Sequence, residues 1–126
     1  MAPDRKRLQQ ILLRLPAPFI AALIWFLSSQ PVLPQPPGIL GFDKLQHVLA
    51  YAVLAFAACF WVSPAFRKRR PVTALLLTAL AGSLYGLIDE VHQYFVPSRE
   101  CSVRDWLADT LGAVAGAAVM LPGRRR

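Results

Sequence analysis

Long apolar runs separated by short polar ones predict a chain of four helices. The runs fall at about 12–30 (LLRLPAPFIAALIWFLSSQ), 45–63 (LQHVLAYAVLAFAACFWVS), 71–95 (PVTALLLTALAGSLYGLIDEVHQYF) and 103–121 (VRDWLADTLGAVAGAAVML). Each approaches the roughly 20 apolar residues that carry a helix across a bilayer. Between the first two lies SQPVLPQPPG, with four prolines in ten residues, which predicts an extended crossing in place of regular structure. The turns SPAFRKRRP and FVPSRECSV are short. They predict that helices two and three, and helices three and four, pack as antiparallel neighbours. Asp43 and Ser102 stand where N-caps of helices two and four would.

Composition agrees. Of 126 residues, 56% are hydrophobic and 17% charged, against about 25% charged in an ordinary soluble domain. The expected fold is all-α, a four-transmembrane-helix bundle forming one domain over 1–126, with no room for a soluble domain. The first run has the basic start of a signal peptide, but SSQPVLPQPPG offers no clear small-x-small cleavage site. A retained helix is expected.

Charge sets the orientation. The net charge is +7, yet the cations are not spread as a nucleic-acid surface. Arg5, Lys6, Arg7, Arg14, Arg67, Lys68, Arg69, Arg70, Arg124, Arg125 and Arg126 all fall on one side of four alternating helices. The positive-inside rule then places both termini in the cytoplasm, and no nucleic-acid partner is expected. Six of the seven acidic residues lie toward the other end; Asp4 alone does not. Cys59 and Cys101 fall at different depths, so no internal disulfide is expected.

That acidic end holds the candidate chemistry. Asp43, His47 and Tyr51 are spaced by four, with Lys44 close to the same stripe. On helix three, Tyr85, Asp89 and His92 or Gln93 share a face, with Glu90 beside it. On helix four, Asp105 and Asp109 are four apart, and Gly112 and Gly116 continue their line. GAVAG is a small-xxx-small pattern for close helix approach, so both aspartates should point into the bundle. A central Asp costs roughly 3 kcal/mol to insert, and ionisable groups placed so usually face a wet or functional interior. The stripes converge on an outer pocket that also draws in Arg99 and Arg104. Histidine with carboxylates can hold a divalent metal, but there is no HExxH and no Cys-Cys-His set, so no metal ligands are assigned and the cofactor is left unknown. No serine or cysteine nucleophile stands beside a base.

DKLQHVLAYAVL (Asp43 to Leu54), YGLIDEVHQYFVPSRECSVRDWLADTLGAVAG (Tyr85 to Gly116) and FLSSQP (Phe26 to Pro31) resemble the VanZ-like family of small bacterial membrane proteins. The resemblance runs from about 26 to 120. It places the family's recurrent polar positions on Ser28, Asp43, Lys44, His47, Tyr51, Glu90, Gln93, Arg99, Asp105 and Asp109. Two positions depart: the family usually has Asn at Asp109 and often Gly at Ser98. An extra carboxylate at 109 would change the charge of the pocket or pair with Arg104. The resemblance implies a multi-pass bacterial inner-membrane protein of the cell envelope, with a link to teicoplanin-type glycopeptide resistance.

The expected function is binding of an envelope component, such as a lipid-linked precursor headgroup, in an extracytoplasmic pocket. Its binding residues would be Asp43, Lys44, His47, Tyr51, Tyr85, Asp89, Glu90, Gln93, Arg99, Asp105 and Asp109. Lys44 and Arg99 would meet an anion, Glu90, His47 and Asp105 would orient them, and Tyr51 and Tyr85 would line the wall. Two alternatives stand beside it: an enzyme acting on a lipid headgroup with Glu90 or His47 as acid–base, with or without a metal, and a structural subunit of a membrane complex.

Overall fold

The computed structural model describes residues 4–121; the expected anchor Arg124–Arg126 lies outside them. The described residues form helices α1 (Arg5–Arg14), α2 (Pro16–Ser28), α3 (Phe42–Ala58), α4 (Pro64–Arg69), α5 (Pro71–Tyr94) and α6 (Val103–Val119), with a 3₁₀ turn at Cys59–Trp61. No strand occurs among them. The all-helical expectation holds, with several corrections.

The first helix begins at Arg5 and not near residue 12. The Asp4 carboxylate caps it by accepting from the Lys6 N–H at 3.3 Å. Pro16, which has no N–H to donate, divides it into α1 and α2. The basic turn after α3 contains a helix of its own, α4, capped by Ser63. Asp43 does not cap α3: the cap position is Gly41, in the left-handed region at φ 77°, and Asp43 lies in the first turn. Ser102 does cap α6, accepting from the Asp105 N–H.

Among the described residues, three segments are long and apolar enough to cross a membrane: Arg5–Ser28, Phe42–Trp61 and Pro71–Tyr94. At 17 residues, α6 is shorter. Packing follows the inside-out rule of helices in lipid. The buried apolar set is mainly alanine (Ala17, Ala55, Ala57, Ala74, Ala79, Ala108, Ala113, Ala117), while Leu23, Phe26, Leu49, Val53, Leu76, Leu80, Leu84, Leu107 and Leu111 are exposed. Lipid tails are as apolar as leucine, so large side chains gain little by turning inward and small ones let backbones approach.

Helix α3 packs most extensively on α6, and α5 packs on α6 too, so α6 is the central partner. The expected close pairing of α3 with α5 is a minor contact. Gly112 faces the Val48 backbone and Gly116 the Ala52 backbone; a Cβ on either would collide with the facing carbonyl oxygen. The same sequence offset at both contacts shows that α3 and α6 run parallel. Helix α5 runs antiparallel to α6, with Gly82 against Ala113, Gly86 against Asp109 and a Ser83–Thr110 hydroxyl hydrogen bond of 2.7 Å.

The basic segments meet at one end. Arg14 Nε donates to the Phe60 carbonyl (3.4 Å), Trp61 Nε1 donates to the Arg14 carbonyl (3.0 Å), and the Arg67 guanidinium lies over the Phe60 ring. The carboxylates of α3, α5 and α6 gather at the other end.

Gly116→Ala should lower thermal stability in detergent by about 1–3 kcal/mol, since overpacking must push α3 off α6. Ala115→Leu, on the exposed side of the same turn, should leave the melting temperature nearly unchanged.

Candidate functional site

Among the described residues, the four largest fully buried side chains are Tyr51, Glu90, Asp89 and Asp109. Three carboxylates thus occupy the interior positions that leucine or phenylalanine would fill in a soluble bundle. Each is placed by an element already described. Glycine contacts bring α6 against α3, which sets Asp109 beside His47 and Asp105 beside Lys44. Gly86 makes room for Asp109: a Cβ there would stand 2.9 Å from Asp109 Oδ2. The α6 cap brings the Ser102 N–H to Glu90.

The polar contacts form a continuous series. Lys44 Nζ donates to Asp43 Oδ2 at 2.6 Å and pairs with Asp105 Oδ1. His47 Nδ1 donates to Asp109 Oδ1 at 2.7 Å, and His47 Nε2 lies 3.8 Å from Asp105 Oδ2. Glu90 Oε2 accepts from the Ser102 N–H at 2.8 Å. Ser28 Oγ donates to Asp89 Oδ2 at 2.6 Å, and Gln93 Nε2 donates to Ser28 Oγ at 3.3 Å.

Four acceptor or donor atoms in this region are buried without a partner among the described residues: Tyr51 Oη, Asp89 Oδ1, Glu90 Oε1 and Asp109 Oδ2. A buried polar atom left unmatched costs about 1–3 kcal/mol. Such atoms normally signal a missing water, ion or ligand.

A cavity of about 420 Å³ opens beside them between α2, α3 and α5. Ser28, Gln35, Asp43, Gln46, His47, Tyr51, Asp89, Gln93, Arg99 and Asp105 supply its polar lining, and Ile24, Leu27, Leu33, Leu49 and Ala50 its apolar lining. An apolar groove of about 410 Å³ runs along α2, α3 and α5 past Ala17, Ala21, Leu54, Leu77 and Tyr85. Tyr51 lines the cavity and Tyr85 the groove, with their rings 6.2 Å apart.

Of the sequence-assigned residues, Asp43, His47, Tyr51, Asp89, Gln93, Arg99 and Asp105 line the cavity. Lys44 joins through its ion pairs. Glu90 and Asp109 lie outside the lining. Tyr85 lines the groove, and its hydroxyl donates to the Ala21 carbonyl at 2.6 Å. His92 turns to α2, 3.2 Å from Ser29 Oγ and edge-on to Trp25. Arg104 is exposed, and Asp109 pairs with His47, not with Arg104.

The two cations expected to meet an anion are already engaged. Lys44 is held by two carboxylates. Arg99 Nε donates to the Gln30 carbonyl (2.9 Å) and its Nη2 to the Leu27 carbonyl (3.3 Å), closing the C-terminal end of α2. The preceding Ser98 sits in the left-handed region at φ 65°, where glycine is unstrained and serine is not. Residue reasoning alone missed Ser28, Gln35 and Gln46. The signal for Ser28 was SSQ closing an apolar helix. The glutamines, bonded to each other at 3.0 Å, gave no signal.

No curated protein and no solved structure matches the chain. A sequence model of the VanZ/LLP1 family matches residues 5–122. Close to the full length of the chain is covered, including each helix that builds the buried carboxylate cluster, and the protein therefore belongs to the VanZ/LLP1 family.

Proposed function

We propose that the cavity binds the headgroup of a lipid-linked cell-envelope component, with its acyl part along the apolar groove. The observation that carries this reading is the pair of buried, partnerless atoms Tyr51 Oη and Asp89 Oδ1 on residues lining the cavity. The neighbouring apolar groove suits a chain attached to that headgroup. Acceptors dominate the polar lining and both cations are engaged, so the fitting headgroup is donor-rich, bearing hydroxyls or an ammonium. A simple anion fits less well. Holding such a lipid would account for a role in glycopeptide (teicoplanin-type) resistance or in envelope homeostasis.

In this reading the protein is multi-pass in a bacterial inner membrane. Helix α6 serves as a short fourth crossing, both termini are cytoplasmic, and the cavity faces outward. The segregation of Arg14 and Arg67 from the carboxylate end supports that orientation. The acid–base alternative also has an observation in its favour: His47 is held by the buried Asp109 as a general base is held by its orienting carboxylate.

Asp89→Asn keeps the shape and the Ser28 contact but removes the charge. Native mass spectrometry of protein gently extracted from host membranes should show a lipid adduct on the wild type. Loss of a charge-assisted hydrogen bond worth about 1.5–3 kcal/mol should reduce that adduct at least roughly tenfold in the variant. Equal adducts on both would remove Asp89 from the site. For orientation, a membrane-impermeant maleimide applied to spheroplasts should label the exposed Cys101 and spare the buried Cys59. Protection of Cys101 until the membrane is opened would invert the topology.

A further inference from the structure

Two of the partnerless oxygens lie outside the cavity lining, on Glu90 and Asp109. These carboxylates are 1% and 0% exposed. Each uses a single oxygen: Glu90 Oε2 accepts from the Ser102 N–H, and Asp109 Oδ1 accepts from His47. The second oxygens meet no donor. Among the described residues, no lysine or arginine forms an ion pair with either; Lys44 pairs with Asp43 and Asp105. Buried carboxylates are normally paired or bound to a metal.

One donor atom from each of His47, Glu90 and Asp109 lies within 4.8 Å of the other two. The three come from α3, α5 and α6, so the helix packing itself gathers them. We infer that His47, Glu90 and Asp109 form a divalent-metal site for a borderline ion of the Zn²⁺ or Mn²⁺ class. An imidazole nitrogen with two carboxylate oxygens suits such ions, whereas Mg²⁺ and Ca²⁺ favour all-oxygen sets. Two carboxylates, a neutral imidazole and a dication sum to zero charge, which removes the electrostatic imbalance of the cluster.

Two neighbours fit the assignment. Asp105 Oδ2 lies 3.8 Å from His47 Nε2, longer than a hydrogen bond but on the side where an orienting carboxylate stands when Nδ1 coordinates. The missing Cβ of Gly86 lets the Asp109 carboxylate lie close against α5, the helix that carries Glu90. Three protein ligands would leave a coordination position for water or for a group entering past His47, which itself lines the cavity. The site stands independently of the headgroup reading, which rests on Tyr51 and Asp89.

The test uses the full chain in detergent, stripped with EDTA and then loaded separately with ZnCl₂, MnCl₂ or CoCl₂. After desalting, elemental analysis should find about one equivalent of Zn²⁺ or Mn²⁺, with a higher melting temperature than the stripped protein. His47→Gln and Asp109→Asn should each cut retention at least roughly tenfold, the loss expected when a ligand is removed, while Asp4→Asn at the opposite end should not. If the site variants fail to fold, the wild type still decides: its Co²⁺ form should show visible d–d bands of a low-coordinate nitrogen–oxygen site. Substoichiometric metal with no thermal shift and no Co²⁺ bands would overturn the assignment. So would folded His47→Gln protein that retains metal as the wild type does.

Discussion

The contact on which the rest of the molecule depends is the close approach of α3 and α6. Gly112 and Gly116 lie directly on the backbone at Val48 and Ala52, where a single methyl group has no space. This fixes both the separation and the register of two parallel helices. One turn nearer the polar end, that register sets Asp109 against His47 and Asp105 against Lys44. Without the glycines the helices would part, and the ion pairs would lengthen. The small-residue seam and the charged cluster are therefore one device, with the first positioning the second.

The distribution of residue sizes follows from the solvent. Leucine and phenylalanine cover the outside, alanine and glycine form the seams, and the largest buried side chains are carboxylates and a tyrosine. Burying Asp89, Glu90 and Asp109 opposes folding unless something matches them. Ser28, Ser102, His47 and Gln93 match part of the group, and four atoms remain without partners. A cluster needed only to lock helices together would gain from closing those contacts, for instance with a lysine or arginine paired to Glu90. Its incompleteness points toward a bound group.

Much of this was legible in the sequence, because lipid imposes strong patterns. The apolar runs gave the helices, and the 105–109–112–116 line gave the buried face of α6. Spacing by four placed His47 and Tyr51 on one stripe. What failed depended on three-dimensional choice. Turn length suggested that α3 and α5 would pair, but the glycines of α6 drew α3 to α6. Capping chemistry favoured Asp43, but Gly41 could take the left-handed conformation and the cap position with it. Charge alone suggested that Lys44 and Arg99 would await an anion, yet pairing within the chain had already occupied both. The His47–Glu90–Asp109 convergence was not readable as a metal motif, since its members come from three helices with no fixed sequence spacing.

On this reading the buried carboxylates are kept for a bound group and not as structural glue. Glu90→Gln tests it most directly. The glutamine side-chain oxygen can still accept from the Ser102 N–H, while the buried charge is removed. Thermal unfolding of the stripped, ligand-depleted protein should show a melting temperature equal to or above that of the wild type. A fall equivalent to several kcal/mol, the cost of breaking a buried network on which the fold relies, would show that the cluster is structural.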